Sequence, residues 1–242
     1  MIRAIILLGF WATSILLVGP LLVLYSVLTG NVNPMYHIAC ALGRFGVQLV
    51  GVKIVLRGLE NLEPGHNYIF MSNHVSNLDP PVLIPSVPGR CSVLVKKELF
   101  RVPILGTGMR LAELVPVDRS DRDAAIESVQ NAITVLRKGL HMVIFPEGTR
   151  SSDGRLLPFK KGPFHLAINS GVPVVPVTLL GSYESWPKHR FAVRSGTVVV
   201  VFHPPLNSHA SPDRDALMSA VRDAINSALS PERREPNATS SQ

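Results

Sequence analysis

The run Tyr68-Ile69-Phe70-Met71-Ser72-Asn73-His74-Val75-Ser76-Asn77-Leu78-Asp79-Pro80-Pro81 joins a short apolar stretch to a polar one closed by two prolines. An apolar stretch without polar alternation marks a strand covered on both faces. Proline donates no ladder hydrogen bond, so that strand ends in a loop or turn before Pro80. Working outward, the stretches 52–56, 92–96, 113–117, 142–145, 174–179 and 197–202 also read as strands. Helical spacing lies between them. Ile126, Val129, Ile133 and Leu136 share a face within 120–138, with Ser120 as N-cap and Gly139 as stop. A second helix starts at Pro163 and ends before Gly171, and a third takes Ser211 as N-cap, Pro212 in its first turn and Leu217, Val221, Ile225 and Leu229 along one face. Strands alternating with helices predict an α/β fold: a mixed, largely parallel central sheet of about seven strands flanked by helices.

Upstream of the first strand the texture differs. Positions 4–28 carry no charged residue, more than the roughly 20 apolar residues that cross hydrocarbon as a helix. A cleaved signal fits poorly, because the run is too long and no small-residue cleavage site follows. Pro20 interrupts it, leaving a kinked spanning helix or a segment that enters one leaflet and turns back. The stretch 34–52 is mostly apolar but holds His37, Arg44 and Gln48, as suits an interfacial helix, the return arm of a hairpin or an ordinary core helix. Arg3 on one side and Arg44, Lys53 and Arg57 on the other would leave both ends of a hairpin in the cytoplasm. The chain therefore divides into N-terminal membrane-anchoring helices (1–51), a folded domain (52–230) and a tail expected to be disordered (231–242).

Composition narrows the function. The net charge of +7 points to an anionic partner, while 46% apolar residues exclude a disordered chain. Aromatic residues make up only 6%, too few for a base-stacking platform, so an anionic membrane is the better partner than nucleic acid. Cys40 and Cys91 lack metal-binding spacing and read as buried thiols.

The chemistry gathers at predicted strand ends. His74 and Asp79 lie five residues apart, about 140° on a helix and on opposite faces of a strand, so regular structure would separate them. A turn through Asn77 brings them together. A carboxylate on one imidazole nitrogen would then fix the tautomer and leave the other nitrogen to accept a proton. Alone, this spacing is as easily chance. Its company is Phe145-Pro146-Glu147-Gly148-Thr149-Arg150 after another strand and Val117-Asp118-Arg119 after a third, at the edge where α/β folds place ligands. A guanidinium fork suits a phosphate monoester, although any single Arg is equally a solvated surface charge. Lys96, Lys97, Arg101, Arg110, Lys160 and Lys161 add positive charge for an anionic substrate or a lipid surface.

Together these blocks resemble the PlsC-type glycerolipid acyltransferase family, and within it the 1-acyl-sn-glycerol-3-phosphate acyltransferases. The resemblance spans about 52–205. It rests on Asn73-His74-Val75-Ser76-Asn77-Leu78-Asp79, which matches the NHxxxxD motif, on Val115-Pro116-Val117-Asp118-Arg119, on Phe145-Pro146-Glu147-Gly148-Thr149-Arg150-Ser151, and on Val172-Pro173-Val174-Val175-Pro176-Val177, in that order. It implies a glycerol-3-phosphate acyltransferase-like fold with an N-terminal membrane-embedded helical segment. The implied reaction moves a fatty acyl chain from an acyl-coenzyme A or acyl carrier protein thioester to the sn-2 hydroxyl of lysophosphatidic acid, making phosphatidic acid for phospholipid biosynthesis. By the same resemblance His74 is the general base and Asp79 orients it, with no acyl-enzyme. Arg119 would hold the phosphate, and Asn73, Glu147, Gly148, Thr149 and Arg150 would line the substrate site. No metal and no cofactor beyond the thioester substrate are implied. The N-terminal helices resemble those of bacterial members, which implies the inner membrane with the catalytic domain on its cytoplasmic side. Acylation of another lysolipid is the near alternative. A thioesterase or lipase lacks its G-x-S-x-G elbow here, a non-catalytic membrane module leaves the acid–base pair without purpose, and nucleic-acid binding has only charge behind it.

Overall fold

The computed structural model describes residues 1–117, 122–208 and 213–234. Within them β1 (Val52–Arg57), β2 (Ile69–Ser72), β3 (Cys91–Lys96), β4 (Val115–Val117), β5 (His141–Ile144), β6 (Val174–Leu180) and β7 (Gly196–Phe202) form one sheet in the order β1-β7-β6-β2-β5-β3-β4. Neighbouring strands are parallel except β6 and β7. The C-terminal ends of β2 to β6 therefore share one edge, and the loops leaving them meet there. The helices are α1 (Ile2–Leu17), α2 (Gly19–Thr29), α3 (Asn33–Leu49), α4 (Asp79–Leu83), α5 (Leu105–Leu111), α6 (Arg122–Arg137), α7 (Gly162–Ser170), α8 (Ser182–Ser185) and α9 (Arg214–Ala228).

The two-residue period of the strands builds two cores. Phe70, Val143 and Val175 point to one face, where they meet Tyr36 and Val47 of α3 and Val82 and Leu83 of α4. Ile69, Met71, Met142 and Ile144 point to the other, against Ile133 and Leu136 of α6, Phe164 of α7 and Leu217, Val221 and Ile225 of α9. Both faces of the central strands are thus dry, as their apolar sequence requires. Full burial of a side chain such as Phe70 stabilises the fold by about 1.5–3 kcal/mol.

Several boundaries differ from expectation for local reasons. The fourth strand starts at Val115 rather than Glu113, because Glu113 adopts φ 62°, its carbonyl accepts from Ser92 Oγ (2.6 Å) and its carboxylate pairs with Lys138 (2.7 Å). The cap of α9 is Asp213, whose side chain accepts from Ala216 N (2.8 Å). Ser211, Pro212 and Ser120 lie outside the described residues. Ordered structure also runs past position 230: Pro231–Arg233 forms a 3₁₀ turn, and Arg233 donates to Asp153 O (2.8 Å) and Glu184 Oε1 (2.7 Å) while its guanidinium covers Tyr183.

The N-terminal residues add a layer to the same core. Leu22 N bonds Val18 O across the junction of α1 and α2 (3.1 Å), and Pro20 sits in the first turn of α2, where its missing N–H costs little. The two helices make one bent rod, Ile2–Thr29, long and apolar enough to cross a membrane. α3 returns along it. Gly46 abuts Trp11, and the Phe10 and Phe45 rings meet at 5.5 Å. Ala4 and Leu7 are fully buried, Leu7 against Gly46 of α3, while Arg3 donates to Ser195 Oγ of the domain (2.8 Å) and a Cβ at Gly19 would stand 2.7 Å from Ile104. Ile5, Leu21, Leu24, Leu28 and Phe45 stay exposed on the outside.

Two half-buried imidazoles should make the fold acid-sensitive. His141 accepts from Tyr68 N and lies flat against the Tyr68 ring, and His203 bonds Thr178 Oγ1 (2.8 Å). Burial holds both below the ordinary 6.5. The unfolded chain therefore binds more protons than the folded one from about pH 6.5 downward, so stability is complete above that value and declines below it. The thermal midpoint should fall between about pH 7.5 and about pH 5.5 in a scanning experiment. An unchanged midpoint would mean that neither imidazole is held neutral.

Candidate active site

The loop between β2 and α4 is folded around one carboxylate. Asp79 is fully buried, and its Oδ2 accepts from His74 Nδ1 (2.8 Å), Val75 N (2.7 Å) and Ser76 N (2.7 Å). The turn expected through Asn77 thus forms because a single acceptor gathers the backbone that precedes it. Pro80 and Pro81 then occupy the first turn of α4, where no N–H is needed. With Nδ1 donating to Asp79, His74 Nε2 is left as the acceptor nitrogen, and it has no protein partner among the described residues. The ring stacks on Phe145, centroids 4.1 Å apart at 20°. Its side chain keeps 16% exposure, enough to meet a substrate from one side.

Asn73 and Glu147, expected to line the substrate site, are instead built into its frame. Asn73 is 1% exposed and spends its amide on one neighbour, with Nδ2 donating to Leu179 O (3.1 Å) and Oδ1 accepting from Leu179 N (2.8 Å). It fastens the end of β2 to β6. Glu147 is equally buried, accepting from His74 N (2.6 Å) and Leu157 N (3.0 Å) and so tying the loop after β5 to the histidine. Ser151 N closes the seam on His74 O (2.8 Å). Replacing Glu147 by Ala should remove about 2–5 kcal/mol of stability by stranding these buried donors. Chemical denaturation would read it, and an unchanged midpoint would refute the framing role.

Gly148, Thr149 and Arg150 stand in the open part of the loop. Gly148 has φ 71°, a conformation that suits glycine, and a Cβ there would press on Lys160 Cγ at 3.3 Å. Thr149 is exposed and Arg150 half-buried. Arg119 lies outside the described residues.

Other features had no clear signal in the sequence. Phe145, read as the end of a strand, is the platform under the imidazole. Ser76 is no nucleophile: it is fully buried, donates to Trp186 O (2.7 Å) and accepts from Leu78 N (3.0 Å). That contact brings the chain after β6 over the histidine loop, with Lys188 donating to Arg150 O (3.2 Å) and Thr149 Oγ1 (3.4 Å). An apolar cavity of about 330 Å³ opens between α2, α3, α4, α5 and β3, lined by Pro80 and Pro81, which follow Asp79, and by Leu22, Ala39, Ile84 and Met109 among others. A larger cleft, about 790 Å³, lies at the opposite edge of the sheet around His66, Arg90 and His141. Neither cavity is lined by His74 or Asp79; the smaller one meets the α4 end of their loop at Pro80 and Pro81.

A 1-acyl-sn-glycerol-3-phosphate acyltransferase of Limnanthes alba is 40% identical over 168 residues, 69% of this chain and 59% of that protein. The 1-acyl-sn-glycerol-3-phosphate acyltransferase alpha of Homo sapiens is 33% identical over 180 residues, 73% and 64% respectively. The chain thus spans less than two thirds of these curated relatives. The crystal structure of the 1-acyl-sn-glycerophosphate acyltransferase PlsC from Thermotoga maritima superposes with a TM-score of 0.81 at 26% identity, covering 93% of this chain and 92% of that one. Residues 53–180, which carry the dyad, its Glu147 frame and the Asn73 clamp, match the family model described as Acyltransferase, and the chain belongs to that family.

Proposed function

We propose that this protein transfers a fatty acyl chain from an acyl-coenzyme A or acyl carrier protein thioester to the sn-2 hydroxyl of 1-acyl-glycerol-3-phosphate, yielding phosphatidic acid. The observation that carries the reading is the His74–Asp79 pair, whose accepting nitrogen has no protein partner among the described residues and whose loop serine, Ser76, is committed to the backbone. His74 Nε2 takes the proton of the lipid hydroxyl as its oxygen attacks the thioester carbonyl. The carbon–sulfur bond breaks as the tetrahedral intermediate collapses, and the imidazolium returns its proton to the leaving thiolate. Asp79 holds the tautomer and stabilises the imidazolium. The acceptor hydroxyl fills the place of a catalytic serine, so no acyl-enzyme forms. The reaction as proposed uses no resident metal or cofactor. The apolar cavity suits an acyl chain, and Arg119 and Arg150 suit the phosphate.

Both acceptor and product prefer a bilayer, which gives the N-terminal hairpin its purpose. Its inner flank is packed on a water-facing domain while its outer flank is apolar, so the hairpin lies in one leaflet and keeps the site at the membrane surface. Arg3, Arg44, Lys53 and Arg57 favour the cytoplasmic side.

Mass-spectrometric product analysis with protein in phospholipid vesicles tests this reading. Phosphatidic acid from lysophosphatidic acid and either donor is expected. Acylation of a different lysolipid alone would overturn the acceptor assignment, and no acylation of any lysolipid would overturn the function.

A further inference from the structure

Lys188 has no role in the motifs that define the site, yet the topology delivers it there. Because β6 pairs with β2, the chain leaving β6 passes over the histidine loop. It is fixed in place: Ser76 Oγ and Asn77 N both donate to Trp186 O (2.7 and 3.2 Å), and Trp186 Nε1 donates to Arg190 O (2.8 Å). Two residues beyond Trp186, the half-buried Lys188 places its ammonium on Arg150 O and Thr149 Oγ1. An ammonium has three donors, and these contacts use two.

Among the described residues no carboxylate pairs with Lys188 or with the adjacent Arg150. The acidic groups nearby are occupied: Glu184 pairs with Arg233, Asp153 accepts from Ser151 Oγ and Arg155 N, Glu147 accepts from backbone N–H groups, and Asp79 serves His74. The ammonium sits on the backbone of Arg150, so both cationic residues flank the loop bonded to His74, and an anion shared between them would compensate both charges. The phosphate of lysophosphatidate sits one carbon from the reacting hydroxyl, so its anchor must lie beside His74. Ser151 N on His74 O places this loop there.

We propose that Lys188, with Arg150, binds the phosphate monoester of the acceptor and sets the preference for that headgroup over phosphodiester lysolipids. This rests on the acyl-transfer reading above. A monoester offers more negative charge and more free oxygens than a diester, and a choline ammonium in the same position would be repelled by the lysine.

The test uses the full chain in vesicles of fixed zwitterionic composition, with Lys188→Met and Lys188→Arg assayed on lysophosphatidic acid and lysophosphatidylcholine. Lys188→Met should raise KM for lysophosphatidic acid by about 10-fold or more. Its kcat should change little, its constants for lysophosphatidylcholine should hold or improve, and Lys188→Arg should keep most of the preference. Unchanged constants for lysophosphatidic acid would overturn the assignment. An equal loss on both acceptors would also overturn it, showing that the lysine only braces the 149–150 loop. A wild-type protein that acylates no phosphomonoester acceptor would overturn the functional reading itself, and this assignment with it.

Discussion

Replacing His74 by Ala should lower acyl transfer about 10³-fold while leaving the fold intact, because the side chain and backbone of this residue have separate duties. The backbone is structural: its N–H is held by Glu147 and its carbonyl by Ser151, and Ala retains both bonds. The side chain supplies the accepting nitrogen. Loss of a positioned base removes about 10²–10⁴-fold of rate, whereas loss of the stack on Phe145 costs only about 1 kcal/mol. A steady-state assay beside a thermal melt separates the two. Wild-type transfer by the variant would remove His74 from the mechanism, and a melt collapsing in step with activity would show that its side chain holds the loop together.

Asp79 combines the two duties that His74 keeps apart, so its variants should diverge. Asp79→Ala strands Val75 N and Ser76 N in a buried turn, at about 1–3 kcal/mol each. It should both melt early and lose transfer. Asp79→Asn can keep its oxygen on all three donors that share Oδ2, but it carries no negative charge to stabilise the imidazolium. Activity should therefore fall by about 10²–10⁴-fold with little change in the melt. Since the pair acts as a unit, His74→Ala combined with Asp79→Asn should be scarcely slower than His74→Ala alone. Multiplicative losses in the double variant would mean that the two residues work independently.

Legibility in the sequence followed the range of the interactions. The central strands were readable because both faces of each are buried, leaving apolar runs such as Ile69 to Met71 and Val174 to Val177. The faces of α6 and α9 were readable from their spacing. The pairing of His74 with Asp79 was readable from the matched motif rather than from the five-residue offset, which chance supplies as easily. Sheet order was not readable, and what depended on it stayed hidden. Asn73 and Glu147 sit in matched motifs, but their partners Leu179 and Leu157 are brought near by strand pairing and by the loop after β5, so they read as ligands rather than as frame. Lys188 carried no signal in the sequence, because only the pairing of β6 with β2 brings it to the histidine loop. The tail was expected to be disordered from 231 because it lacks periodicity. Arg233 nevertheless finds a ring, a carbonyl and a carboxylate across the chain, none of which periodicity records. The first helix posed the same difficulty. Its composition allowed a membrane span, and the burial of Ala4, the packing of Leu7 on Gly46 of α3 and of Gly19 on Ile104 had no signal in it.

The most direct measurement is the acceptor dependence of thiol release in a rapid-quench experiment with acyl thioester, followed by intact mass analysis of the protein. Direct transfer predicts that free thiol appears only when lysophosphatidic acid is present, in equal amount to phosphatidic acid, with the protein mass unchanged. Thiol release at the same rate without acceptor, or a protein mass raised by one acyl group, would contradict the account and make water or a protein side chain the nucleophile.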